Sequence, residues 1–195
     1  MTPRGQTRKQ MLETAQGLFG RQGYHATGVN QILAEAAAPK GSLYFHFPGG
    51  KEQLAAEAVS LGATDLGQVI DAVLEHAPDP ASAIRTMGDL LTARLESSGF
   101  LDGCPIASVA LDVADSPTVR SACDSGYAGW LASITDHLTQ AGLAEATAAE
   151  LAVLVLSGLE GALLLARTRQ DTAPLVQVAN RLAAVVTQEI QELCA

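Results

Sequence analysis

The chain has 195 residues, 48% of them apolar but only 4% aromatic, and a formal net charge of −9. That length suits one large domain, or a small one and a medium one, and a core built chiefly from Ala, Leu and Val favours an all-α fold. Three cysteines, Cys104, Cys123 and Cys194, are too few for a disulfide framework and read as reduced thiols of a cytoplasmic protein.

The charge is unevenly placed. Residues 1–51 carry six Lys or Arg and two Asp or Glu, a net of +4, while residues 52–195 carry six and nineteen, a net of −13. Such a balance excludes a general nucleic-acid binder. It allows a basic head that meets a polyanion on one face while the acidic body repels it.

The opening MTPRGQTRKQ is polar where a secretory leader would be apolar. Met11, Leu12, Ala15, Leu18 and Phe19 follow at helical spacing, with Gly23 placed to end the helix. A second short helix has Thr27 as its cap and Val29, Ile32 and Leu33 facing inward. A break at 36–39 leads to a third, from Pro39 or Lys40 to His46, with the proline suited to its first turn. "PGG" stops it, and a long helix runs from about Gly50 to His76. "PDP" at 78–80 is a turn in which Asp79 caps and Pro80 opens a helix to about Ser97. After the loop "SSGFLDGCP", the short helix "PIASVALDVA" is expected. Long helices then span about 117–140, 146–170 and 173–193, giving about nine helices in all. The apolar run 151–166 has 16 residues with Glu160 near its middle. It is too short to span a membrane, which takes about 20 residues, so burial in protein is expected.

Two short helices joined by a tight turn near the basic end read as helix-turn-helix, whose second helix enters the major groove. Leu43 and Phe47 share one face of that helix and can lock it onto Leu18, Phe19 and Ile32. Lys40, Gly41 and Ser42 lead into the groove, and Tyr44 and His46 reach phosphates. The start of the next helix, with Lys51, is a further phosphate site. Arg4, Arg8 and Lys9 can reach phosphates or the neighbouring minor groove. "FPGGKE" lacks the residues of a nucleotide-binding loop.

Over residues 7–56 the sequence resembles the TetR family of bacterial transcriptional regulators. Thr27, Val29, Ile32, Ala36, "KGSLYFHF" at 40–47, "KEQL" at 51–54 and the helix "MLETAQGLFGRQGY" carry the resemblance. Ala37 stands where the family usually has glycine in the turn, and Pro39 where it usually has Ser or Thr. A negative φ at Ala37 would accommodate the change. "PKGSLYFHFPGGKEQL" with "DGCPIASVALD" is similar to the branch that represses drug-efflux and flavonoid-inducible operons. The resemblance implies a DNA-binding domain at 1–50, with Thr27 among its contacts, and a ligand-binding and dimerisation domain at 51–195. It also implies a homodimer through the last two helices, and release of a palindromic operator by a small apolar or aromatic effector. Met87, Leu91, Phe100, Cys104, Val109, Tyr127 and Trp130 are the expected ligand residues.

No catalytic or metal-ligating pattern is seen, so neither enzyme activity nor a cofactor is expected, and no membrane partner is expected either. An activator, a redox-sensing regulator using Cys104, and a helical interaction module without DNA binding are the alternatives.

Overall fold

The computed structural model describes residues 4–112 and 115–192; Cys194 and the side chain of Arg4 lie outside the described set. Among the described residues there are nine helices and no strand. They are α1 (Arg4–Ala26), α2 (Val29–Glu35), α3 (Ser42–His46), α4 (Gly50–His76), α5 (Pro80–Ser97), α6 (Ala107–Ala110), α7 (Pro117–Gln140), α8 (Glu145–Arg169) and α9 (Ala173–Glu192). Two compact units emerge. One joins the chain up to Asp65 with Cys104–Tyr127, and the other joins Leu66–Gly103 with the chain from Ala128 onward.

In the first unit, Met11, Ala15, Leu18 and Phe19 of α1 are buried with Ile32 and Leu33 of α2, Leu43 and Phe47 at α3, and Leu54, Ala55 and Ala58 of α4. Each large side chain removed from water in this way contributes about 1.5–3 kcal/mol. Ile106 and Val109 at α6, and Val119 and Cys123 of α7, are buried in the same unit. Glycine lets the backbone approach closely here: a Cβ on Gly126 would lie 2.6 Å from Ile106 Cδ1 and 2.8 Å from Ala63 Cβ.

Two sequence expectations change at the corner between α1 and α2. Gly23 does interrupt the helix, with φ 80° and ψ 176°, but helical geometry resumes briefly as far as Ala26. Thr27 is not the cap of α2. Gly28 holds that position, while Thr27 is fully buried and its hydroxyl donates to the Gly23 carbonyl at 2.7 Å.

The exit from α2 differs too. Ala37 has φ 49°, in the left-handed region, not the negative φ that would accommodate alanine without strain. The Ala37 N–H donates to Ala34 O at 3.2 Å and the Ala38 N–H to Leu33 O at 2.9 Å. This pair of bonds is the helix-ending pattern that normally places glycine at the left-handed position. Alanine fills it here at some strain.

In the second unit, Asp79 caps α5 as expected: its carboxylate accepts from the Ser82 N–H at 2.8 Å, and that bond chiefly holds its pKa below the usual carboxylate value. Pro80 sits in the first turn. α5 packs on α9 and α8 on α9. The α5–α9 approach is close enough that a Cβ on Gly88 would lie 2.6 Å from Ala179 Cβ. α8 has 25 residues and is long and apolar enough, by length and composition, to cross a membrane. The 16-residue run is thus part of a longer helix, whose length alone does not exclude spanning. Burial does the work instead: Leu151, Ala152, Val155, Leu159, Ala162 and Leu163 lie in the core. Its opposite side exposes Val153, Leu154, Leu164 and Leu165.

Candidate nucleic-acid interface

α3 is only five residues long, Ser42–His46, and shorter than the expected span. Gly41, with φ 86°, is its N-cap, so Lys40 and Gly41 belong to the preceding turn, where both are exposed. The Ser42 hydroxyl donates to Pro39 O at 2.7 Å, which closes that turn. On one side of α3, Leu43 and Phe47 are 1% and 0% exposed; on the other, Tyr44 and Phe45 are 69% and 63% exposed. A five-residue helix cannot hold itself in water. Its two buried anchors hold it, and they leave two rings standing in solvent. Phe45 packs edge-on to His46, with ring centroids 4.9 Å apart. Tyr44 lies against Gly50, whose added Cβ would be 3.2 Å from the ring. Phe45 was not singled out from sequence. The helical spacing places Phe47 inward and Tyr44 outward but gives Phe45 no role.

Three expected contacts are otherwise engaged. The Arg8 guanidinium lies 4.8 Å from the centre of the Phe47 ring and pairs with Glu57, so it ties α1 to α3 and α4. The Lys51 ammonium sits 4.2 Å over the Tyr24 ring. Burial lowers its pKa, partly offset by the negative charge of Asp112. Thr27 is buried, so its side chain holds the corner and does not reach a phosphate. The start of α4 offers fewer open donors than expected. The Gly49 N–H donates to Gln53 Oε1 and the Gly50 N–H to Phe47 O, both at 2.8 Å. Glu52 in its first turn accepts from the Ser116 hydroxyl at 2.6 Å. Of the expected contacts, Lys40, Gly41 and Tyr44 are exposed beside Phe45, Ser42 and His46 are half-buried, and Lys9 is exposed on α1, 3.5 Å from Glu13.

The helix-turn-helix segment and the body both match known protein families. Residues 11–58 match the bacterial regulatory proteins of the tetR family, and residues 80–181 match the LmrA/YxaF-like transcriptional regulator C-terminal domain. This chain belongs to the TetR family. Among TetR relatives, it is 36% identical over 190 residues to the HTH-type transcriptional regulator YxaF of Bacillus subtilis, covering 97% of this chain and 100% of that one. It is 37% identical to LmrA of the same organism, over 90% and 94% of the two chains. A TetR regulator from Chloroflexus aurantiacus superposes with a TM-score of 0.81 at 27% identity, over 95% and 96%. The TetR regulator CifR, solved with 26-bp operator DNA, shares the fold at a TM-score of 0.76 and 22% identity, over 90% and 94%. The TetR chain described here is accordingly a helix-turn-helix transcriptional regulator.

The seven expected ligand residues are divided between the two units. Cys104, Val109 and Tyr127 belong to the first unit; Met87, Leu91, Phe100 and Trp130 belong to the second. Trp130 is 3% exposed and packs beside Gly67, as a core residue does. Phe100 takes a left-handed φ of 63° where the chain turns after α5. Cys104 is buried, and its Sγ accepts from the Ala107 N–H at 3.5 Å. A cavity does occur in the second unit. It is lined by Ile70, Val73 and Leu74 of α4, Ala83, Ile84 and Met87 of α5, Ile134 of α7, and Val155, Leu156 and Leu159 of α8. Of the seven expected residues, only Met87 lines it. Trp130 is a core residue, Phe100 and Tyr127 are half-buried, and the cavity is lined by aliphatic residues. One helical turn beyond Ile134, the His137 Nε2 is buried without a hydrogen-bond partner. Among the described residues no cluster of metal-ligating side chains occurs.

Proposed function

We propose that this regulator is a repressor that binds a palindromic operator as a homodimer and leaves it when a small apolar effector binds the body. The observation that carries the DNA reading is the two-sided α3: buried Leu43 and Phe47 behind, exposed Tyr44 and Phe45 in front, and Lys40 on the turn that leads in. In this reading residues 1–50 are the reading head and residues 51–195 hold the effector and the dimer contact. Lys40 and Tyr44 hold phosphates. Gly41 and Ser42 let the backbone approach the bases, and Phe45 offers its ring to a thymine methyl.

The dimer reading rests on α8. Val153, Leu154, Leu164 and Leu165 are 46–60% exposed along one stripe, with Ser157 and Gly161 exposed between them. Val176 of α9 is also exposed. A stripe of that kind on a soluble chain marks a contact surface, and a self-complementary one closes a two-fold dimer. The effector reading rests on the cavity, whose lining is apolar throughout. A charged ligand would lose its hydration there with no partner to replace it. The protein works in the cytoplasm, without a membrane and without catalysis.

The test is anisotropy of labelled DNA from the region upstream of the gene, titrated with protein at two salt concentrations. Binding should be specific, at two protomers or a multiple per site, and should weaken steeply with salt as counterions are released. Lys40→Ala should reduce the logarithmic salt slope by about 1. Equal, weak binding to operator and random duplex across a genome-wide fragment selection would reject the reading.

A further inference from the structure

Residues far along the chain reach back to the corner where α1 turns into α2. The Ser108 hydroxyl donates to Gly20 O at 2.9 Å. The Asp112 carboxylate accepts from the His25 backbone N–H at 3.2 Å, and the Asp112 carbonyl oxygen is 2.8 Å from His25 Nε2. Gly23 makes room for this. A Cβ there would lie 2.5 Å from Asp112 Oδ2 and 3.3 Å from Ser108 O. The same stretch of α1 is held from inside by the Thr27 hydroxyl on Gly23 O, at 2.7 Å.

From this geometry we propose that Asp112 is a positioning residue for operator binding. Its carboxylate and carbonyl clasp His25 from both ends of that residue and fix the angle at which α2, and α3 after it, leave α1. The contacts span 87 residues of sequence, so the reading head does not set its own corner. A segment beyond residue 100 sets it. The physical reason is local. At Gly23 the chain adopts a φ/ψ pair open essentially to glycine alone, so the main chain there has little intrinsic preference to keep one angle. The N–H just beyond the kink needs a partner, and Asp112 is that partner. Charge-assisted bonds of a carboxylate to a backbone N–H are among the stronger neutral-to-ion contacts. Asp112 touches neither DNA nor effector in this account; it acts through His25.

The inference rests on the operator-binding reading, and its test separates the two. Amide hydrogen exchange at His25 is measured first, on the full-length protein without DNA, in wild type, Asp112→Ala and Asp112→Asn. Asparagine keeps an acceptor for the N–H, and alanine removes it. Exchange at His25 should quicken at least tenfold in Asp112→Ala and stay within about threefold of wild type in Asp112→Asn. Affinities for the operator and for a random duplex follow. Asp112→Ala should lose fivefold or more on the operator with random-duplex affinity unchanged, and Asp112→Asn should recover most of the loss. Unchanged His25 exchange in Asp112→Ala overturns the clasp, whatever the protein binds. Equal loss on both duplexes, or equal loss in both variants, overturns the positioning role. A wild-type protein that prefers no duplex rejects the operator reading, and the exchange result still decides the clasp.

Discussion

Gly23 suits its backbone and Ala37 does not, so Gly23→Ala and Ala37→Gly should move stability in opposite directions. Gly23 has φ 80° and ψ 176°, where a side chain costs about 1–3 kcal/mol. Its Cβ would also sit 2.5 Å from Asp112 Oδ2 and 3.3 Å from the Ser108 carbonyl oxygen. The carboxylate can swing away, at the loss of its bond to His25, but the carbonyl cannot. Gly23→Ala should therefore destabilise the protein by roughly 2–4 kcal/mol, with the lost bond to a charged group added to the strain. For a chain of this size that is a fall of roughly 5–15 °C in the unfolding midpoint.

Ala37 has φ 49°, and its side chain is exposed, so nothing is lost with its methyl. Relief of left-handed strain gains about 1–2 kcal/mol, and the greater freedom of glycine in the unfolded chain takes back about 0.4–1. Ala37→Gly should raise the midpoint by up to about 6 °C. Gly17 is a control in the interior of α1, exposed and with nothing within 4 Å of an added Cβ. Gly17→Ala should stabilise by about 0.5–1 kcal/mol. Thermal unfolding followed by circular dichroism, at one protein concentration because the proposed dimer would melt by mass action, reads all three. A Gly23→Ala midpoint within 2 °C of wild type, or an Ala37→Gly protein less stable than wild type, would refute the backbone argument.

Phe45→Ala should lower operator affinity about fivefold, roughly 1 kcal/mol, with little effect on random duplex, since base contacts and not phosphate contacts discriminate sequence. Leu164→Glu should shift sedimentation from dimer towards monomer, because it places charge in the exposed α8 stripe while leaving the buried side of the helix untouched. Burial pushes the Cys123 thiol up to about 11; at pH 8 it should resist alkylation in the native protein and react promptly in denaturant, where the thiolate is accessible. Burial lowers the pKa of His137 below its ordinary 6.5. As pH falls through about 6.5 the unfolded chain takes up that proton before the folded one does. Stability should drop in that window, and His137→Leu should flatten the denaturation midpoint against pH between 5 and 7.

What one stretch of chain decides for itself was legible in the sequence. Apolar periodicity placed the first two helices, and Pro and Gly breaks divided the rest of the nine found among the described residues, because both are local signals. Asp79 and Pro80 announced the start of α5, since capping involves residues three apart. The string 40–47 marked a short helix with Leu43 and Phe47 on its inner side, and both are buried. The misplacements share one physical cause: each depends on residues distant in sequence. Arg8 was free to reach a phosphate until Phe47 and Glu57 came beside it, and Lys51 until Tyr24 did. Thr27 was a plausible cap until the kink at Gly23 presented a carbonyl to its hydroxyl. The burial of Trp130, and the opening of a cavity among the aliphatic side chains of α4, α5, α7 and α8, likewise depend on residues distant in sequence. Asp112 gave no signal at all, since nothing near position 112 shows that it meets position 25. Helices and caps follow from contacts a few residues apart; which charges remain available, and where a cavity opens, follow only from tertiary packing.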